Sequence, residues 1–175
     1  NSAPEAIIRL LDMGMDPFNF ADALLGILAQ RLAKRLCGKC KKPRVATQDE
    51  LKLLLDEYSQ ELLATTTWKK DAKGAKDALF QGWIKEFGNE KGEISIYEPV
   101  GCDTCGGSGY KGRVGLHELL IGTDAIKKNI QEHARVVEMF ATALEYGMRT
   151  LKQDGMEKVL MGLTDMLQVR AVCIK

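Results

Sequence analysis

The fold of this chain is decided by two short stretches, Cys37-Gly38-Lys39-Cys40 and Cys102-Asp103-Thr104-Cys105. Two residues between cysteines allow a tight turn to direct both sulfurs, and its backbone amides, towards one ion at Zn–S distances of about 2.3 Å. Two such turns supply the four ligands of a tetrahedral site. Because four thiolates leave no open coordination position, the motifs predict one structural zinc ion rather than a catalytic one.

The cysteine count supports reduced thiols. Five cysteines, an odd number, do not suit a disulfide framework, whereas paired C-x-x-C motifs suit metal ligation. Two separate redox dithiols, or four unrelated cysteines, are the alternatives that spacing leaves open. The fifth cysteine, Cys173, follows an apolar helical pattern and is expected in the core.

Basic residues surround the motifs. Four thiolates on Zn²⁺ leave a net charge of about −2, which favours nearby cations. Lys111 and Arg113 follow the second motif, and seven basic residues without an acid surround the first: Arg31, Lys34, Arg35, Lys39, Lys41, Lys42 and Arg44. Either these cations offset the thiolates or they form a solvated basic loop.

The glycines around the second motif do not form a phosphate loop. Residues 101–108 have two glycines with four residues between them and a terminal serine, but Gly107 occupies the position of the lysine that contacts phosphates. The glycines are therefore interpreted as turns around the metal. His117 and His133 have no spacing that suggests a catalytic triad and are expected to be core or surface residues.

Composition indicates a soluble globular protein. The chain has 175 residues, 45% hydrophobic and 28% charged, with a net charge of +1. It has no apolar run near the roughly 18 residues of a membrane span and no secretory signal pattern. These features predict a cytoplasmic location.

Capping motifs and apolar spacing predict a helix-rich α/β chain. Strands are predicted at 93–98 and 113–121, and residues 26–36 are ambiguous, with the second half extended. Helices are predicted from residue 3 to near Gly14 and from Pro17 to about Leu25, the second with Phe20, Ala23 and Leu24 turned inward. Further helices are predicted after Thr47 and from Ala75 to Phe87. Four more helices are predicted from Thr123 onwards.

Several blocks resemble the type II secretion and type IV pilus-assembly ATPase family. They run in order through both ends of the chain: Asn1 to Ala6, Arg9-Leu10, Met13-Gly14, Ala29 to Leu32, both cysteine motifs, Gly109 to Arg113, Glu118 to Leu120, Gly147 to Leu151, Asp154-Gly155 and Lys158 to Leu160.

The resemblance implies an α/β fold, the C-terminal fragment of a RecA-like P-loop ATPase domain with a zinc-binding insertion and a C-terminal helical bundle. Residues 1–36 and 111–122 would be the remnant of the ATPase core. Residues 37–110 would form the zinc-binding subdomain with a long insertion, and residues 123–175 a helical subdomain.

The resemblance also implies a homo-hexameric motor at the inner face of the cytoplasmic membrane. It would use ATP and Mg, dock on inner-membrane platform proteins and bind no nucleic acid. In this family the phosphate loop, the acidic boxes and the histidine box precede the block that contains Asn1, so this part alone should neither bind ATP tightly nor hydrolyse it. The family motif makes Arg113 a candidate nucleotide-binding residue; the alternative is a counter-charge for the thiolates.

Residues 41–101 are longer than expected of this family, and their own capping signals predict an independent module. The module would be a docking surface for a platform partner or a packed decoration. Two other functions are considered. Cys102 to Gly109 matches one repeat of a heat-shock co-chaperone zinc module, and the basic residues from Arg31 to Arg44 would suit a nucleic-acid-binding zinc module.

Overall fold

The computed structural model describes residues 2–173; Asn1, and the last two residues of the predicted helical segment 123–175, lie outside this range. Short 3₁₀ turns occur at Leu62–Ala64 and Asp103–Cys105. The regular elements are α1 (Ala3–Asp12), α2 (Pro17–Ala23), β1 (Gly26–Leu36), β2 (Lys42–Val45), α3 (Gln48–Ser59), α4 (Thr66–Lys70), α5 (Ala72–Phe87), β3 (Ser95–Glu98), β4 (Tyr110–Ile121), α6 (Asp124–Gln131), α7 (Val136–Glu145), α8 (Leu151–Leu160) and α9 (Met166–Val172). The predicted mixed, helix-rich α/β class is confirmed.

Most helices begin where local capping predicts. Ser2 and Glu5 form a reciprocal capping box at α1, and Thr47 and Glu50 do the same at α3. Helix α5 begins earlier than predicted because Asp71 caps it through the Gly74 amide.

Helix α2 corrects two expectations. It ends at Ala23 rather than Leu25, because Leu24 already has an extended backbone that leads into β1. Ala21, not Ala23, is the alanine that faces the core: Ala21 is fully buried and Ala23 is exposed.

A long antiparallel ribbon of β1 and β4 forms the centre of the fold. Its register runs from Gly26 opposite Ile121 to Lys34 opposite Arg113, with an irregularity before Leu36. The whole of residues 26–36 is therefore strand, not only the second half. The reason is long-range pairing with β4, which local periodicity does not reveal.

A shorter ribbon pairs β2 with β3, from Lys42 opposite Glu98 to Val45 opposite Ser95. The sequence predicted β3 but not β2, because β2 has four residues and contains Pro43, which is common only at sheet edges. Helix α4 was also not predicted.

Three hydrophobic clusters fill the interior. The first packs α1, α2, β4, α6 and α7 around residues that include Ile7, Leu120, Ile130 and Met139. The third joins the central ribbon to α8 and α9 through Ala33, Leu116, Val159 and Val169. The ribbon thus supplies side chains to two cores.

The second cluster joins the segment between the cysteine motifs to α8. Leu54, Tyr58 and Trp83 pack there with Met156 and Leu160 of α8. Tyr58 and Trp83 meet edge to face at 5.3 Å between ring centroids. The expectation of an independent module is therefore wrong, because α8 and this segment bury one another. All three clusters contain residues from more than one predicted subdomain, whose boundaries stay a prediction.

Within residues 2–173, the helices are too short or too polar to cross a membrane.

Candidate metal centre

The two cysteine motifs form turns at the same end of the central ribbon. Cys37 directly follows β1, and its turn closes through the Lys41 amide, which donates to the Cys37 carbonyl at 3.0 Å. The second turn is the 3₁₀ segment Asp103–Cys105, and the Gly107 amide donates to the Cys102 carbonyl at 2.9 Å. The Cys37 amide donates to Gly109 at 2.9 Å, which joins the two turns.

The four sulfurs predicted as ligands lie together. The Sγ–Sγ distance is 3.9 Å for Cys37 and Cys102, 3.9 Å for Cys40 and Cys105, and 3.8 Å for Cys102 and Cys105. All four sulfurs lie within 4.8 Å of one another. A tetrahedron with Zn–S bonds of about 2.3 Å has S–S edges of about 3.8 Å. All four are free thiols, and their separations far exceed a disulfide bond of about 2.0 Å.

Backbone amides point at the sulfurs. Gly101 donates to Cys40 Sγ at 3.3 Å, and Cys102 and Gly109 donate to Cys105 Sγ at 3.2 Å each. Two of these donors require glycine. Gly101 has φ +106° and a Cβ there would lie 2.5 Å from the Gly107 oxygen; Gly109 has φ +79° and a Cβ there would lie 2.6 Å from Pro99.

The thiols differ in acidity. Burial raises the pKa of Cys40 to about 11. Burial acts in the same direction on Cys105, but the amides of Cys102 and Gly109 outweigh it and lower the pKa to about 6. The pKa of Cys102 is also lowered, because amide donors outweigh its burial. A bound cation would favour the thiolate at every position.

The donor set therefore fits a four-coordinate thiophilic cation. The separations match a tetrahedron, the amides complement thiolate charge, and the sulfurs are only partly exposed. Zinc bound by these four residues would supply a structural cross-link with no open position for substrate.

Comparison with known proteins shows the family of the chain. A family model described as type II/IV secretion system protein matches residues 1–171. The chain belongs to this family. It is 35% identical over its whole length of 175 residues to the type IV pilus assembly ATPase PilB of Thermus thermophilus. It is 33% identical to the type II secretion system ATPase E of Vibrio cholerae, over 176 aligned positions that cover 98% of the chain.

The chain spans 16% of the Thermus protein and 28% of the Vibrio protein. The Thermus match extends over all 175 residues of the chain, and the expectation that segment 41–101 is unusually long for the type II/IV secretion family stays a prediction.

In this secretion family member, the cysteine turns are fastened to the turn between α8 and α9. Four hydrogen bonds make the connection: Lys41 Nζ to the Gly162 carbonyl at 2.6 Å, the Leu36 amide to Leu163 at 2.9 Å, Thr164 Oγ1 to Lys34 at 2.8 Å, and Tyr110 Oη to Asp165 at 2.5 Å. Lys41 also lies over the Tyr97 ring, 4.5 Å from its centroid. Sequence reasoning missed this connection; the only local signal was the Thr164-Asp165 cap of α9.

The other residues singled out in the sequence do not belong to the sulfur cluster. Arg113 is exposed on β4 opposite Lys34, and its nucleotide role stays a prediction. His117 is exposed beside Asp154 and Lys158, and His133 lies in the turn after α6 with φ 53°. Cys173 packs partly buried against the third cluster, and this burial raises its pKa.

Proposed function

We propose that this chain is the C-terminal, zinc-containing part of a hexameric ATPase that powers type II protein secretion or type IV pilus assembly. The family match over residues 1–171 carries the proposal, and the named relatives are ATPases of both systems. ATP and Mg would bind to parts of the polypeptide beyond this segment. The whole protein would work at the inner face of the cytoplasmic membrane with platform proteins as partners.

The zinc would have a structural role. It would close the chain between Cys40 and Cys102, and closing a loop of this length costs entropy that a metal cross-link in the folded state offsets. The same cross-link would hold the end of the central ribbon against the α8–α9 turn, through the hydrogen bonds made by Leu36, Lys41 and Tyr110.

Arg113 is proposed to contact the phosphates of the nucleotide in the assembled enzyme. It is exposed at the end of the ribbon, where a guanidinium can approach a ligand held by another part of the protein. The family motif and this exposure support the role.

The test uses the full-length protein. We expect one zinc per chain, a hexameric mass in light scattering and ATP hydrolysis. Arg113→Ala should lower turnover while zinc content and the melting temperature stay unchanged, and Lys111→Ala, which removes a neighbouring exposed cation, should have little effect. A full-length protein without ATP hydrolysis contradicts the proposal. Zinc loss in Arg113→Ala would assign Arg113 to the thiolate charge instead.

A further inference from the structure

Two cations face each other at the end of the central ribbon. Lys34 of β1 and Arg113 of β4 are register partners, and both are exposed. Like charges directly opposite on an antiparallel pair are destabilising. Among residues 2–173, no carboxylate oxygen lies within 4.0 Å of the cationic nitrogens of either residue. The pair therefore places two positive charges together that the described part of the protein does not neutralise by an ion pair.

The pair opens into a cleft. The cleft has a volume of about 290 Å³ and is lined by Lys34, Ser108, Tyr110, Gly112 and Arg113. Both cations are exposed, so an anion can reach them from solvent. The backbone is irregular at this cleft. The β1–β4 register shifts directly beside Lys34, and Gly112 has φ +78°. Such bulges often lie beside functional sites and redirect a side chain.

Tyr110 fixes one wall of the cleft. Its hydroxyl donates to Asp165 Oδ2 at 2.5 Å, and its amide donates to Ser108 Oγ at 3.2 Å. Burial and the Asp165 carboxylate raise the pKa of Tyr110 to about 12, so the phenol remains a hydrogen-bond donor at neutral pH. Lys34 Nζ lies 5.9 Å from the centroid of the Tyr110 ring. The aromatic ring and the β1 backbone thus hold the lysine beside the arginine.

We propose that Lys34 and Arg113 together bind a phosphate group in this cleft, so that Lys34 is a second cationic residue of the nucleotide site proposed for Arg113. The inference rests on that proposed function. The guanidinium of Arg113 offers paired donors to two phosphate oxygens, and the ammonium of Lys34 adds a point charge from the facing strand. Tyr110 is a positioning residue that acts through Lys34.

The direct test titrates the 175-residue chain with inorganic triphosphate and follows backbone amides by NMR. We expect weak, salt-sensitive binding with shifts concentrated at residues 34 and 110–113. Lys34→Ala and Arg113→Ala should each weaken binding about tenfold, the scale of one lost charge-assisted hydrogen bond. Arg35→Ala is the matched control: it removes an exposed cation one position along β1, and binding should stay within about twofold of wild type because Arg35 does not line the cleft.

Equal losses in all three variants would show a diffuse effect of surface charge and overturn the site. Weaker binding in Arg113→Ala with normal binding in Lys34→Ala would overturn the inference and leave the proposed function intact. If Lys34→Ala loses zinc while its triphosphate binding is unchanged, Lys34 is a counter-charge for the thiolates, and the inference is overturned. Tyr110→Phe, which keeps the ring, should retain most of the triphosphate affinity that Tyr110→Ala loses.

Vesicles of phosphatidylglycerol, compared with vesicles of phosphatidylcholine, identify the source of the phosphate. Triphosphate binding without a preference for phosphatidylglycerol supports the nucleotide site. If the chain binds phosphatidylglycerol through Lys34 and Arg113 but not triphosphate, the phosphate belongs to a lipid headgroup. That result supports the anion cleft and contradicts the nucleotide role of Arg113.

Discussion

The carboxylate of Glu118 accepts a hydrogen bond from the Ala3 amide at 2.7 Å, although the two residues are 115 positions apart. Its second oxygen accepts from the Leu151 amide at 3.3 Å. Glu118 is only 2% exposed, and this burial raises its pKa while the two amides act against the rise. One carboxylate of β4 thus serves the N-termini of both α1 and α8, where unpaired amides and the helix dipole favour negative charge.

Removing this carboxylate should cost considerable stability. Glu118→Ala leaves two helix-terminal amides without their acceptor, and we expect the free energy of unfolding to fall by about 2–4 kcal/mol. Glu118→Gln keeps one acceptor oxygen and should cost about half as much. Urea denaturation measures both variants. Equal stability of Glu118→Ala and wild type would show that water replaces the carboxylate.

The sulfur cluster should bind one zinc per chain, as measured by elemental analysis. Serine at any one of the four sites, Cys37, Cys40, Cys102 or Cys105, should release the metal, whereas Cys173→Ser should retain it. Because the ligands are thiolates, zinc retention should fall as the pH is lowered and the sulfurs take up protons. A reduced, metal-free protein with an unchanged melting temperature would contradict the structural zinc.

Chelation should loosen the α8–α9 turn together with the cysteine turns. The Leu36 amide donates to Leu163, so its hydrogen exchange reports on this contact. A local loss of about 1.4 kcal/mol would make its exchange about tenfold faster. The Met139 amide in the first hydrophobic cluster should exchange at the same rate with or without zinc. Unchanged exchange at Leu36 after chelation would show that the turn is held without the metal.

The segment between the motifs should be indispensable for folding. Leu53 and Leu54 are neighbours on α3, but Leu53 is 65% exposed and Leu54 is 6% exposed against the second cluster. Leu54→Ala should destabilise the protein by about 2–5 kcal/mol, whereas Leu53→Ala should change stability by no more than about 0.5 kcal/mol. Thermal unfolding followed by circular dichroism distinguishes them. A similar cost at both positions would contradict the burial of Leu54 in the second cluster.

Replacing residues 46–95 by a Gly/Ser linker extends this test. The replacement would expose Met156 and Leu160 of α8 and remove the Tyr58 carbonyl that accepts from Gln153 Nε2 at 3.0 Å. We expect loss of cooperative unfolding. A cooperative transition at the wild-type temperature would restore the interpretation of this segment as an independent module.

Glu50 should give part of the stability at neutral pH. Hydrogen bonds from Arg44 lower the pKa of Glu50 to about 2, from an ordinary value of 4.5. A depressed folded-state pKa contributes stability that is present above pH 4.5 and is lost as the pH falls towards 2. Glu50→Gln should therefore lower the free energy of unfolding at pH 7, by about 1 kcal/mol or less because the Arg44–Glu50 pair is partly exposed. The free energy of unfolding of this variant should also fall less steeply as the pH is lowered.

Denaturation midpoints between pH 7 and pH 2 check this effect. Glu90→Gln removes an exposed carboxylate in the turn after α5 and should leave the profile unchanged. Identical acid profiles for Glu50→Gln and wild type would exclude the Arg44 interaction as a source of stability.

Several features were readable in the sequence because their causes are local. A helix N-terminus depends on side chains within three residues, as for Ser2 with Glu5 and Thr47 with Glu50, so these starts were predicted correctly. The sulfur cluster was predictable because the two-residue spacing within each motif already shapes a turn that presents both sulfurs. Membership of the secretion family was recognisable from short blocks of residues in their order along the chain.

The tertiary structure alone decided which surfaces meet. Residues 26–36 became one strand because β4 offers hydrogen-bond partners along its length, although paired residues such as Gly26 and Ile121 lie far apart in the chain. Segment 41–101 joined the core because its apolar faces and those of α8 bury one another. Tertiary structure also brought together Glu118 with the N-termini of α1 and α8, the α8–α9 turn with the cysteine turns, and Lys34 with Arg113. The physical reason is that burial and long-range hydrogen bonds depend on distances in space, whereas caps and turn spacings depend on distances along the chain.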